Sequence, residues 1–230
     1  GDMILRAVED GADGILLGIG GSATNDLGLG ALQVLGLRFL DELGAVVERI
    51  RPSVWHRLVS IEGDLPELPP LRIACDVDNP LLGTFGATQV FGPQKGFSSQ
   101  DLQRAEQELA RVARLFVKSM GCDQALFEEP GAGAAGGLGF GLRTAAGASF
   151  APGFSLVSAW LGLEEQIADA DLVITGEGRF DCSSLRGKGP GTVAKMAAEA
   201  GKKVLVLAGS LEREAVEELN ALYPGARTRE

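Results

Sequence analysis

Apolar positions along the chain gather into short runs, and the stretches between them carry helical spacing. "GILLGI" (14–19) and "LRIACDV" (71–77) are runs of strand length, the second ending in acidic residues. "ADLVITGEG" (170–178) and "KKVLVLAGS" (202–210) are the clearest, each bounded by charge on one side and glycine on the other, as expected of buried parallel strands. Over 98–120, Leu102, Ala105, Leu109, Val112 and Phe116 recur on one face behind a Ser98 cap, which predicts a helix. Residues 190–201 open on Pro190 and close on Gly201, the asymmetry of a second helix. Strands alternating with helices predict an α/β fold with right-handed crossovers and a parallel sheet covered on both faces. Ligands then bind at the carboxyl ends of the strands.

Glycine sharpens that picture. Sixteen of the 33 glycines fall in three stretches, 18–30, 130–142 and 176–192, which read as loops shaped for close backbone approach. The first joins the strand at 14–19 to a segment holding Thr24, Asn25 and Asp26, expected to form the first turn of a helix. Unpaired N–H groups there would suit an anion. The same stretch fits the dinucleotide pattern G-x-G-x-x-A at Gly18, Gly20 and Ala23, with Asp41 further on. A nicotinamide-dependent dehydrogenase is therefore the competing enzyme class, and a truncated, non-catalytic α/β module is a third reading.

Composition narrows the classes. The 230 residues suit one large domain or two small ones. Net charge of -10, with 21 basic residues spread along the chain, argues against a nucleic-acid surface but not against a nucleotide held by backbone amides. Cys75, Cys122 and Cys182 lie far apart, so a cytoplasmic, reducing setting is expected. No apolar run is long enough to span a membrane. A homo-oligomer stays open.

Four stretches are candidates for chemistry. "DVDNP" sets Asp76 and Asp78 on one face of a strand end, where oxygen donors suit Mg²⁺ beside substrate phosphates. "GEGRFDCSSLRGKGPGT" offers Glu177 and Asp181 to a metal or hydroxyl and Arg179, Arg186 and Lys188 to phosphate. It is no P-loop, because position 182 is Cys and Lys188 is followed by Gly. "GAGAAG" at 131–136 is either a phosphate loop or a helix start packed closely on its neighbours. In "FGPQKG", Lys95 is a phosphate ligand or an exposed lysine, and the lone His56 reads as a packing residue.

"GIGGSATND", "ACDVDNPLLG", "FGPQKG", "PGAGAAGGLG" and "TGEGRFDCSSLRGKGPGTVA", in this order, resemble the class I glycerate kinases over nearly the whole chain. The resemblance implies ATP-dependent phosphorylation of D-glycerate with Mg²⁺, commonly at the 2-hydroxyl. It also implies a three-layer parallel or mixed sheet arrangement in two α/β domains, flavodoxin-like and Rossmann-like, one inserted in the other, with the active site between them. The corresponding division is a flavodoxin-like domain over 1–155 and part of a Rossmann-like domain over 156–230. Members carry a leading strand with a "PDSFK"-like loop, so the chain is expected to be part of a longer enzyme. Carried over by residue, the resemblance puts Ser22, Thr24, Asn25, Asp26 and Asp76 in the cleft and Glu177, Arg179 and Asp181 on the facing domain; combined with the reading of the residues, the expected site has Asp76 as proton acceptor and Lys188 or Arg179 stabilising the transferred group. Ser22, Thr24, Asn25, Asp26 and Arg179 hold substrate, and Gly20, Gly21, Gly133, Gly136, Gly137 and Lys95 hold nucleotide. Asp78, Glu177 and Asp181 hold the metal.

Overall fold

The apolar runs at 14–19 and 71–77 become neighbouring parallel strands, and those at 170–178 and 202–210 form a second such pair. The structure is a computed structural model that describes residues 1–182, 184–185 and 189–229. It divides into two compact units, Gly1–Ala151 and Pro152–Glu230.

The first unit runs α1 (Asp2–Glu9), β1 (Ile15–Gly18), α2 (Leu29–Val34), β2 (Arg38–Leu40), β3 (Ser60–Glu62), β4 (Leu71–Ala74), α3 (Ala87–Phe91), α4 (Ser99–Ser119), α5 (Leu138–Ala146) and β5 (Ser149–Ala151). Short 3₁₀ turns at Pro52–Arg57, Pro93–Lys95, Gln124–Phe127 and Ala134–Gly137 lie between them. Strand order is β1-β4-β5, all parallel, with Gly18 opposite Ala74 and Ala74 opposite Ala151. β2 and β3 pair antiparallel in a separate ribbon, which the apolar pattern did not predict because three-residue strands are too short to show alternation. α4 forms almost as expected: the Ser98 hydroxyl accepts the Asp101 N–H at 3.2 Å, and Leu109, Val112, Ala113, Phe116 and Val117 make its buried face. Phe116 meets Phe140 edge-on, 6.1 Å between ring centroids, in a core with Leu27, Phe39, Trp55 and Ile73.

The second unit runs α6 (Gly153–Leu161), α7 (Leu163–Asp169), β6 (Leu172–Glu177), α8 (Gly189–Glu199), β7 (Lys203–Ala208), α9 (Arg213–Leu222) and β8 (Ala226–Arg229). Its sheet is parallel in the order β6-β7-β8. Val173, Val204 and Val206 pack with Phe180, Ala194, Ala197 and Leu219. Leu172 and Ile174 of β6 and Leu207 of β7 stay exposed. No helix among the described residues is long and apolar enough to cross a membrane, and none of the three cysteines is in a disulfide.

The expected helix start at Thr24 is corrected. Leu27 and Gly28 take positive φ, 59° and 66°, which a right-handed helix cannot include. The Asp26 carboxylate accepts the Gly28 N–H at 3.1 Å. The helix therefore begins only at Leu29 and lasts six residues.

Candidate functional site

β1 and β4 run side by side in the same direction, so the chain leaves both strands at one edge of the sheet. Segments 18–22 and 74–77 leave there, and with Phe91, Gln94, Lys95, Ala134 and Ala135 they wall a cavity of about 350 Å³. Gly20, Gly21, Ser22, Asp76 and Lys95 are thus brought together from positions far apart in sequence. Phe91, Gln94 and Cys75 join them without having been singled out, although each lies within or beside a motif already quoted.

Lys95 ends the 3₁₀ turn Pro93–Lys95, and its ammonium donates to the Thr24 carbonyl at 2.5 Å. Burial pulls its pKa below the ordinary lysine value, while the nearby Asp26 charge opposes that shift. Burial likewise raises the Asp26 carboxyl, against the Gly28 N–H and Lys95. The Cys75 thiol is pushed up by burial, with Asp76 and Asp78 adding to the effect, so Cys75 is a poor nucleophile. Asp76 is exposed on the wall, and Asp78 is exposed but outside it.

The remaining residues expected in this half behave differently. Thr24 contributes its carbonyl to Lys95 rather than lining the cavity. Asn25 is turned inward, its Nδ2 donating to the buried Thr88 hydroxyl at 3.1 Å. Gly133, Gly136 and Gly137 are buried and absent from the cavity wall. A Cβ at Gly136 would strike the Thr24 carbonyl, and one at Gly133 the Pro80 carbonyl. Of the two readings of "GAGAAG", these contacts are those of close packing: Gly136 lies against Thr24 and Asn25, and Gly133 against Pro80 and Ala87.

In the second unit, the ends of β6 and β7 also lie together. The Gly178 carbonyl accepts the Ser210 N–H at 3.1 Å, and Phe180 bridges to Leu211. Arg179 reaches Glu212 at 3.3 Å and Asp181 at 3.8 Å, so its charge is shared with two acids. Glu177 has its Oε1 buried without a partner among the described residues. Arg186 and Lys188 lie outside the described residues. Among the described residues no three acidic, histidine or cysteine side chains form a cluster able to hold a metal.

A dinucleotide fingerprint requires a helix to follow the glycines directly. Here ten residues separate β1 from α2. Asp41 is also engaged: its carboxylate takes Arg57 at 2.7 Å and the N–H groups of Leu43 and Ala45.

Comparison with known proteins agrees with the order of motifs. Residues 1–224 match the model of the glycerate kinase family. The chain is 44% identical over 215 residues to the glycerate 2-kinase of Escherichia coli (strain K12), covering 92% of this chain and 56% of that protein. It is 41% identical over 241 residues to the glycerate kinase of Bacillus subtilis (strain 168), covering 98% of this chain and 61% of the relative. A crystal structure assigned as a glycerate kinase 2 from Salmonella typhimurium LT2 superposes with a TM-score of 0.73 at 36% identity, over 96% of this chain and 64% of that one. The chain spans somewhat more than half the length of the curated relatives it matches. With five motifs in series and a family match along almost its whole length, the chain belongs to the glycerate kinase family.

Proposed function

We propose that this chain carries phosphoryl-transfer machinery for ATP-dependent phosphorylation of D-glycerate at its 2-hydroxyl, giving phosphoglycerate and ADP. The observation that carries the reading is the cavity at the carboxyl ends of β1 and β4, where Gly20, Gly21 and Ser22 share a wall with Asp76 and Lys95. The name of the Escherichia coli relative, glycerate 2-kinase, favours the 2-position.

Phosphoryl transfer asks a protein for positioning and charge neutralisation more than for covalent chemistry. Lys95 neutralises phosphate, and backbone N–H groups of the 20–22 segment bind its oxygens. Ser22 hydrogen-bonds the acceptor acid. Asp76 takes the proton of the attacking hydroxyl as its oxygen bonds to the γ-phosphorus and the bond to the departing ADP oxygen breaks. In the second unit, Arg179 and Lys188 are assigned to anionic groups of substrate or nucleotide. Magnesium bound with a nucleotide needs only one or two carboxylates beside phosphate oxygens and water. Asp78, Glu177 and Asp181 have that donor chemistry, and the unpartnered Glu177 Oε1 fits it best. Once bound, the ion offsets charge on the phosphates. Thiols outside disulfides agree with a cytoplasmic setting.

The test is ADP release by the intact enzyme from ATP, Mg²⁺ and D-glycerate, with the product read by phosphorus NMR. A 2-phosphate couples to one carbon-bound proton and gives a doublet, whereas a 3-phosphate couples to two and gives a triplet. Asp76→Asn is expected to lower kcat by about 10²–10⁴. Turnover within a few-fold of the parent would remove Asp76 from the role of base.

A further inference from the structure

The resemblance puts Asn25 among the substrate ligands, yet the fold gives its side chain other work. Asn25 is 8% exposed, and its Nδ2 donates at 3.1 Å to the hydroxyl of Thr88, a residue of α3 that is 0% exposed. Neither residue belongs to the wall of the cavity at β1 and β4. The Asn25 Oδ1 is also buried and has no donor among the described residues. A buried polar pair left partly unsatisfied is costly to keep, so the arrangement it specifies calls for an account.

Thr88 leads directly to Lys95. The Gly92 N–H donates to the Thr88 carbonyl at 2.9 Å, and the Lys95 N–H donates to the Gly92 carbonyl at 2.9 Å. Consecutive backbone hydrogen bonds thus join the buried end of this segment to the end that reaches the cavity. The Lys95 ammonium then donates to the carbonyl of Thr24, the residue before Asn25. Two side-chain links, Asn25 to Thr88 and Lys95 to Thr24, close a ring between positions 24–25 and 88–95. Gly136 backs that ring, because a Cβ there would strike the Thr24 carbonyl and the Asn25 Cα.

We propose that Asn25 and Thr88 are positioning residues for Lys95, and that their buried hydrogen bond sets where its ammonium stands on the cavity wall. The proposal deepens the kinase reading and rests on Lys95 being a ligand of the nucleotide phosphates. A lysine stem is flexible and its ammonium has three donors. One donor held on the Thr24 carbonyl fixes the head and leaves the others for phosphate oxygens. With the Asn25–Thr88 link removed, the Thr24 carbonyl is no longer held in register with Lys95, and the nucleotide must order a loose side chain as it binds.

The test is a double-mutant cycle on the intact enzyme, reading the Kd for ATP with Mg²⁺ by calorimetry in the absence of glycerate. Thr88→Val keeps the branched shape and removes the hydroxyl, and is expected to weaken ATP binding about threefold to tenfold. Asn25→Leu tests the same link from its other side and is expected to do likewise. Thr88→Ser keeps the hydroxyl and is expected to stay within about twofold of the parent. In a Lys95→Met background, Thr88→Val is expected to add nothing. Ile61→Val trims a buried side chain of β3 away from the cavity wall, which lowers stability but is expected to leave the Kd at its parental value. Parental affinity in both Thr88→Val and Asn25→Leu would overturn the proposal. So would an equal loss from Thr88→Val with or without Lys95, or a matching loss in Ile61→Val. Parental affinity in Lys95→Met alone would instead remove Lys95 as a phosphate ligand, and the proposal would fall with that reading rather than by its own cycle.

Discussion

Lys95, on the wall of the cavity at β1 and β4, and Asp26, whose charge acts on it, are two partly buried side chains 69 positions apart. Both are drawn out of water, and burial disfavours the charged form of each. For Asp26 the folded-state pKa lies above the ordinary 3.8. The folded protein therefore holds a proton that the unfolded chain has released, and stability falls as pH rises from the ordinary value through the folded one. Asp26→Asn cannot titrate but keeps an oxygen for the Gly28 N–H. Urea midpoints measured across that window are expected to show the parent losing stability with rising pH relative to the variant, a difference that persists at neutral pH. Lys95→Met is expected to weaken nucleotide binding about tenfold or more, the scale of one lost charge-assisted hydrogen bond, measured by calorimetry. "FGPQKG" marked Lys95 in the sequence, with two readings left open. That its ammonium would sit on the Thr24 carbonyl was not legible, because nothing local links positions 24 and 95.

Among the elements, those with sustained period or a cap were legible and those made by loop contact were not. α4 follows from its apolar face and its Ser98 cap. The α2 start was misplaced because polar residues at 24–26 look like a helix opening, whereas the left-handed backbone at Leu27 and Gly28 follows from packing on α5. The Leu27 N–H donates to the Gly136 carbonyl, and Gly28 lies against Leu138. Gly141 on α5 admits the Leu27 carbonyl where a Cβ would collide with it. Gly141→Ala is expected to cost about 1–3 kcal/mol as an overpacked contact, read from the denaturant midpoint. Because that contact braces the 22–28 loop, the same variant is also expected to reduce catalytic efficiency. Loss of stability without loss of activity would separate the loop from the site.

At the scale of the whole molecule, two parallel sheets each bring candidate site residues to the carboxyl edge, and each unit has its own apolar core. ATP with Mg²⁺ is expected to raise the melting temperature in proportion to its affinity, and NAD to leave it unchanged, since only a ligand of the folded state stabilises it. The reverse order would restore the dehydrogenase reading that the long β1–α2 connection disfavours. What the sequence by itself determined was the alternation of strands and helices, and with it the edge at which polar and glycine-rich segments emerge. Those properties come from hydrophobic period and backbone freedom over a few residues. Only the tertiary structure decided which of those segments face a cavity and which serve as packing. Gly20 and Gly21 line the cavity while Gly136 and Gly137 close a core, because burial is set by what distant parts of the chain bring alongside.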